Sequence, residues 1–249
     1  MINPLISIII ASYNSAKTIN KTLDSIFNQT YRNFELIIID GGSTDDTIEI
    51  IKKFEFLFKH RLKWISEEDS GIYEAWNKAI SLSSGSWVSF IGSDDYYVEN
   101  ALENYISIIN LNKNVNFVSS NCLLVDYNYK KVREYGRKWS DKMLTYCVIA
   151  HVGSFHKRDL FNSPPYFDTR YRISADYDFL LKNFKKINAT YFPTVTVIVM
   201  NSGISGRNIF FVAKERTLVK LRNNSKPILF CFIDFFVTIL KFYFRKYFL

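Results

Sequence analysis

Trp87-Val-Ser-Phe-Ile-Gly-Ser-Asp-Asp95 joins an apolar run to a pair of acids. Its first five residues are mostly aromatic or β-branched, the composition of a strand buried inside a sheet. The chain turns at Gly92, and Asp94 and Asp95 follow at once. An apolar strand needs no acids at its tip, and adjacent carboxylates repel unless a cation sits beside them. Ligands that are all oxygen suit a hard divalent ion, Mg²⁺ or Mn²⁺, carrying the phosphates of a substrate. Gly-Ser-Asp-Asp is also good turn chemistry. On these residues alone a solvated turn and a metal site stand side by side.

Toward the N-terminus, Leu5 to Ala11 and Phe34 to Ile39 read as buried parallel strands, and Leu62 to Ser66 as a weaker third. The first ten residues lack a basic n-region and are too short to span a bilayer, so they read as a strand rather than a targeting segment. A helix follows Ser12-Tyr13-Asn14-Ser15, with Asn14 or Ser15 as N-cap and Ile19, Leu23, Ile26 and Phe27 as its apolar stripe. Asp45-Asp46 open a second helix. A third turns Ile72, Trp76, Ala79 and Ile80 inward. Strands alternating with helices predict an α/β domain with a mostly parallel sheet and right-handed crossovers.

In such a sheet, ligands bind beyond the carboxyl ends of the strands. Those ends carry Ser12-Tyr13, Asp40 and Asp94-Asp95, which favours a ligand site over chance turn composition. No Gly-x-Gly-x-x-Gly and no Gly-x-x-x-x-Gly-Lys-Ser/Thr occurs, so a diphosphate would be neutralised by a metal held on the acids. Tyr13 can stack on a base and Asp40 can accept an N–H from its edge.

Past Asn100 the alternation loosens. The pattern predicts a helix over 100–110, a strand over Phe117–Leu124 and a hairpin over Val125–Val132. A strand over His151–His156, a helix over Asp176–Lys186 and an edge strand over Tyr191–Met200, with Pro193 near its start, complete the reading.

With 249 residues and 48% hydrophobic side chains, the chain can bury one large core. Cys122, Cys147 and Cys231 are odd in number and widely spaced, which points to a reducing compartment and away from zinc clusters or disulfides. The net charge of +8 is uneven: residues 207–249 hold nine Lys and Arg against Glu215 and Asp234, leaving the body near neutral. No nucleic-acid motif accompanies that basic stretch, so nucleic acid is not an expected partner. We therefore divide the chain at 206/207 into an α/β domain and a basic, aromatic helical tail. Within the tail, Asp234, Thr238, Lys241 and Arg245 form a polar stripe on an amphipathic helix. The expectation is a helix over 226–249 that lies on a membrane surface, drawn to anionic lipids by Lys241, Arg245 and Lys246, or packs on the domain or a second copy of the chain.

Four blocks in order, Ser7-Ile-Ile-Ile-Ala-Ser-Tyr-Asn14, Leu36-Ile-Ile-Ile-Asp-Gly-Gly-Ser-Thr-Asp45, Asp69-Ser-Gly-Ile-Tyr-Glu-Ala-Trp-Asn-Lys78 and Phe90-Ile-Gly-Ser-Asp-Asp95, resemble family 2 glycosyltransferases of the GT-A fold. The resemblance implies a Rossmann-like nucleotide-diphospho-sugar fold. It also implies inverting, metal-dependent transfer from a nucleotide sugar, most often a UDP-sugar, to a hydroxyl of a glycan or lipid-linked saccharide. Enzymes of this kind build bacterial polysaccharide, O-antigen and lipopolysaccharide at the cytoplasmic face of the plasma membrane, which implies peripheral attachment there. Residue by residue, Ser12, Tyr13, Asp40 and Asp69 resemble donor contacts, Asp94 the ribose contact and Asp95 the direct ligand to Mg²⁺ or Mn²⁺. Ser93 precedes the acid pair, and Gly92 stands where many relatives carry an acid. Ile173-Ser-Ala-Asp-Tyr-Asp-Phe-Leu180 resembles the segment bearing the catalytic base; Ala175 replaces the usual Glu, and Asp176 is the matching acid. His151-Val-Gly-Ser-Phe-His156 and Asn201-Ser-Gly-Ile-Ser205 resemble weaker blocks near acceptor and diphosphate. Two other readings share these residues: a non-catalytic nucleotide-sugar-binding subunit with the same fold, and a nucleotidyltransferase, which would normally show a glycine-rich basic loop after the first strand.

Overall fold

The computed structural model describes residues 2–201 and 208–248. Its first half consists of strands β1 (Ile6–Ser12), β2 (Phe34–Asp40), β3 (Leu62–Ser66) and β4 (Trp87–Gly92), connected by helices α1 (Ile19–Phe27), α2 (Thr47–Phe58) and α3 (Ile72–Leu82). β1 lies between β2 and β4, β3 lies outside β2, and all these pairs are parallel. The unbroken Ile and Leu runs follow from helices on both faces. Ile8, Ile10, Leu36 and Ile38 pack with Leu23, Ile26, Phe54 and Phe58 of α1 and α2. Ile9, Ile37 and Ile39 point the other way, into a second core with Trp76 and Ile80 of α3. Ile72, expected inside, is exposed; Tyr73 takes the inward position beside Trp76.

The second half adds β5 (Tyr96–Tyr97), α4 (Ala101–Leu111), β6 (Phe117–Val125), β7 (Lys131–Tyr135), β8 (Phe155–Lys157), α5 (Ala175–Lys182), β9 (Ala189–Met200), α6 (Ile209–Arg222) and α7 (Ile228–Phe248). Among the described residues these make one sheet of nine strands, ordered β3-β2-β1-β4-β8-β6-β9-β5, with β7 on β6.

Three boundaries differ from the sequence reading for local reasons. α1 starts at Ile19, not after Asn14 or Ser15, because Asn14 takes φ 47° and donates its N–H to Ser43 Oγ, while Ser15 donates its own to Thr47 Oγ1. The strand expected over His151–His156 shrinks to β8 because Gly153 turns the chain at φ 73°. β9 is not an outer edge: it runs parallel to β6 on one side and pairs with β5 at Val197 and Ile198 on the other. Pro193 falls where the β6 register skips from Ser119↔Tyr191 to Asn121↔Val195, so its missing N–H breaks no ladder bond.

The stretch expected to be a tail divides in two. α6 packs on α5, and its Val219 belongs to the second core. α7 packs along α6. Asp234 of the expected polar stripe turns toward α6: its Oδ2 accepts from Lys220 Nζ of α6 at 2.7 Å and from Lys226 Nζ at 3.2 Å. Thr238 donates to the carbonyl of Asp234. The apolar side is the exposed one, with Phe230, Phe236, Leu240 and Phe244 each more than half accessible. Lys241 is exposed as well, while the side chains of Arg245 and Lys246 lie outside the described residues. Among the described residues no helix is long and apolar enough to cross a membrane.

Candidate active site

Three strand ends meet on one edge of the sheet. β1 and β2 finish in register at Ser12 and Asp40, and Ala11 lies opposite Gly92 of β4. Asp40 is wholly buried, so its carboxylate must find its partners inside the protein. Its Oδ1 accepts from Ser12 Oγ at 2.9 Å and Ser43 Oγ at 2.6 Å. Oδ2 accepts from Ser66 Oγ at 2.8 Å and from the N–H groups of Gly42 and Ser43 at 3.1 and 2.8 Å. The expectation that Asp40 offers a lone pair to a base edge thus meets a carboxylate already engaged by five donors. It organises the turn 41–43 and ties together the ends of three strands. Tyr13 beside it is 63% exposed and leaves its ring open to a flat partner.

Asp69, in the loop before α3, lies against the same turn: a Cβ added to Gly41 would sit 3.1 Å from Asp69 Oδ2. Its Oδ1 accepts from the Gly71 N–H, yet burial holds the carboxyl above the usual range. Asn77 and Lys78 on α3 are engaged within the fold. Asn77 exchanges two 2.8 Å bonds with the backbone of Phe167, and Lys78 pairs with Glu67 and Glu74 at 2.9 Å each.

The loop after β1 is bound to the loop after β4 by the Ser15 and Ser93 hydroxyls, 2.8 Å apart. Asp94 and Asp95 then fold back over Gly92, where a Cβ would meet Asp95 Oδ2 at 2.8 Å and Asp94 Oδ1 at 2.9 Å. Glycine at this position leaves the space into which two carboxylate oxygens converge. Asp95 is 5% exposed, its Oδ1 accepts from the Met200 N–H at 3.0 Å, and its backbone carbonyl accepts from Thr22. Burial, with the neighbouring Asp94 second, pushes its carboxyl up to about 8. Among the described residues no group of three or more His, Cys, Asp and Glu side chains could hold a metal. Two converging carboxylates nevertheless fit the way Mg²⁺ or Mn²⁺ is usually held, by one or two protein acids with substrate phosphates and water completing the shell.

The third contribution comes from α5. Of its two acids, Asp178 is 2% exposed and engaged by Lys182 Nζ at 2.6 Å and Asn223 Nδ2 at 2.7 Å. Asp176 faces the other way, with its side chain 25% exposed, as expected of two positions that do not share a helix face. Its Oδ1 accepts from Tyr73 Oη at 3.2 Å and from the Tyr177 N–H at 2.8 Å. His151 Nδ1 stands 3.9 Å from Oδ2. That imidazole is stacked on Trp76 and Phe90, and burial holds its basicity below the ordinary histidine range, against the pull of Asp176. Phe90 belongs to β4, so Asp176 stands beside the strand that ends in the acid pair. His156 lies deeper, with Nδ1 3.4 Å from the Val88 carbonyl, as a core histidine does. Of the Asn201–Ser205 block, Ser202 to Ser205 lie outside the described residues.

Sequence reasoning missed Ser43, Ser66, Tyr73 and Glu215. The first two are ordinary turn residues in sequence. Tyr73 was hidden by a helix stripe phased one residue early. Glu215 carries a signal, an acid at the inward spacing of Val212 and Val219.

The profile of the family described as glycosyl transferase family 2 matches residues 7–147. A PGL/p-HBAD biosynthesis glycosyltransferase of Mycobacterium bovis is 33% identical over 186 residues, covering 74% of this chain and 71% of that protein. Among solved structures, S. aureus TarS 1–349 in complex with UDP-GlcNAc aligns with a TM-score of 0.69 at 20% identity, over 86% of this chain and 66% of that one. The mannosyltransferase PcManGT of Pyrobaculum calidifontis, in complex with GDP-Man and Mn²⁺, aligns at 0.69 and 19%, over 90% and 65%. At such identities the structural likeness establishes the GT-A type of fold, an α/β mixed sheet with flanking helices.

Proposed function

The chain belongs to glycosyl transferase family 2 and is a glycosyltransferase; from that premise we propose that it moves a sugar, with inversion, from a nucleotide diphosphate to a hydroxyl of a glycan or lipid-linked saccharide. A UDP-sugar is the proposed donor, supported by the UDP-GlcNAc complex of a structural neighbour. Tyr13 would stack on the base, in a loop shaped by Ser12, Asp40 and Asp69. Asp94 would face the ribose. Asp95, with Asp94 beside it, would hold Mn²⁺ or Mg²⁺, and a Mn²⁺ complex among the neighbours supports this. When bound, the ion supplies positive charge to the departing diphosphate. Asp176 would take the proton of the attacking hydroxyl. A second acid is unnecessary because the diphosphate already leaves well, unlike the leaving group of a glycosidase.

The observation that carries this reading is the separation of the two acids on α5. Asp178 is locked into the fold, while Asp176 keeps a partly open carboxylate held by the Tyr73 phenol and the Tyr177 N–H. Asp176→Asn preserves shape and removes the base. Transfer should fall by roughly 10²–10⁴-fold, with nucleotide-sugar binding by calorimetry unchanged. Wild-type turnover in this variant would refute the assignment, and binding without turnover across many acceptors in the wild type would favour a non-catalytic subunit.

The outward face of α7 supports the further proposal that residues 226–249 seat the enzyme on an anionic lipid surface, at the inner face of the plasma membrane where lipid-linked acceptors are presented. Helix pairing between two copies of the chain would use the same face.

A further inference from the structure

We infer that Glu215, forty residues downstream in α6, is a positioning residue that holds the base-bearing helix in register; the inference rests on Asp176 being the base. Glu215 lies among charged and apolar neighbours in Phe211-Val-Ala-Lys-Glu-Arg-Thr-Leu-Val-Lys220, where a lone acid would be expected in water. Instead it is 5% exposed. A carboxylate so buried is tolerated only when hydrogen bonds replace its hydration. Here the donors are three consecutive backbone N–H groups: Arg172 to Oε1 at 2.7 Å, Ile173 to Oε2 at 2.9 Å and Ser174 to Oε2 at 3.0 Å.

Those amides lead directly into α5. Ser174 occupies the N-cap position, yet its side chain makes no capping bond and its buried hydroxyl has no partner. The carboxylate of α6 therefore fastens, from a distant element, the three amides that lead into the helix and places negative charge beside its N-terminus. α5 has only eight residues, too few to be stable by itself, so its position is dictated by what grips it. Asn223, just past the end of α6, holds Asp178 at 2.7 Å, and Arg222 donates to Tyr171 Oη at 3.2 Å. Asp176 thus sits between two points, residues 174 and 178, that are both fastened to the same helix. A base that must meet a hydroxyl at hydrogen-bond distance loses roughly 10²-fold for a displacement near 1 Å. A plain structural role for Glu215 would lower stability; a positioning role lowers kcat through Asp176 alone.

The full chain carrying Glu215→Gln, Glu215→Asp, Asp176→Asn or both Glu215→Gln and Asp176→Asn distinguishes these. Glu215→Gln places an amide NH₂ against N–H donors. Its kcat should fall about 10–100-fold, while the donor KM and the donor-induced thermal shift stay within about twofold of wild type. Glu215→Asp, which keeps the charge, should recover part of the loss. In the Asp176→Asn background Glu215→Gln should add no further loss, because the group it positions is already gone. Wild-type kcat in folded Glu215→Gln, or an equal further loss in the double variant, overturns the inference while leaving Asp176 in its role. Retained turnover in Asp176→Asn alone removes the base reading, and that arm does not involve Glu215. Should Glu215→Gln fail to fold, hydrogen exchange on the wild-type chain decides: slow amides at 172–174 sustain the clamp, and exchange at open-loop rates refutes it.

Discussion

Glu35→Gln should destabilise the fold by about 2–3 kcal/mol at neutral pH and leave sugar transfer unchanged at a permissive temperature. Glu35 lies near the start of β2, at the sheet edge opposite the candidate site, and is 6% exposed. Its Oε1 accepts from Ser7 Oγ at 2.7 Å, Ser84 N–H at 2.5 Å, Ser84 Oγ at 3.0 Å and Gly85 N–H at 3.1 Å. Its Oε2 accepts from Lys63 Nζ at 3.0 Å. Burial alone would raise the carboxyl, but these donors outweigh it and bring it from 4.5 down to about 2. At about 1.4 kcal/mol per unit, that difference is worth roughly 3 kcal/mol. We take the lower part of the range because the Lys63 side chain is 48% accessible and its share is screened by water. For a chain of this size each kcal/mol moves the midpoint by roughly 2–4 °C, so thermal melts at pH 7 should differ by about 4–12 °C. The sign is fixed: a folded-state value below the unfolded one gives stability that is complete above pH 4.5 and lost as pH falls toward 2. The gap between wild type and variant should therefore close between pH 5 and pH 2. Equal midpoints at pH 7, or a gap that persists undiminished at pH 2, would refute the reasoning.

Other expectations follow from the same geometry. Asp95→Asn is a neutral isostere in a buried place, so the metal-free melt should hold or rise at pH 8 while Mn²⁺ no longer adds to the stabilisation by a nucleotide sugar in thermal shift; an unaltered Mn²⁺ increment counts against Asp95 as the ligand. Asp234→Ala leaves the buried Lys220 ammonium without its 2.7 Å partner and should cost about 3–5 kcal/mol, read as a lower melting midpoint; a change under 1 °C would show that the pair does not hold α7 on α6. Placing Asp at Phe236 and Leu240 together should abolish flotation with anionic liposomes without altering kcat on a soluble acceptor. Undiminished flotation would defeat the lipid-facing reading of α7.

The parts legible in the sequence are those whose neighbours are dictated locally. β1, β2 and β4 are buried on both faces, which their apolar runs announce, and the acids at the ends of β2 and β4 stood out against them. What was illegible depends on partners far away in the chain. Asn14 and Ser15 look like N-caps, yet their N–H groups are claimed by Ser43 in the β2–α2 loop and Thr47 at the start of α2. Asp40 looks like an open acceptor, yet hydroxyls from three separate loops and strand ends close on it. Asp234 reads as one member of a polar stripe, and only the structure shows Lys220 beneath it. In each case a polar residue of ordinary local meaning is reassigned by a buried partner, and periodicity carries no trace of such a partner.

Two buried acids of the same sheet make the division between its edges explicit. Glu35 gathers hydroxyls, amides and an ammonium, and its carboxyl falls to about 2. Asp95, at the other end of the strands, receives the Met200 N–H and has a second carboxylate for a neighbour, and burial carries its carboxyl up to about 8. Burial raises both carboxyls and weighs more heavily on Asp95; at Glu35 the donors outweigh it, and at Asp95 they do not. At one edge the fold satisfies the charge completely and gains stability. At the other it sets two adjacent carboxylates close together on the same sheet edge as Tyr13 and the turn that Asp40 shapes. A stability clasp could have been built at either end. Two carboxylate oxygens that converge in the space left by Gly92 suit a cation arriving with the substrate, which is what the proposed transfer of a sugar from a nucleotide diphosphate demands.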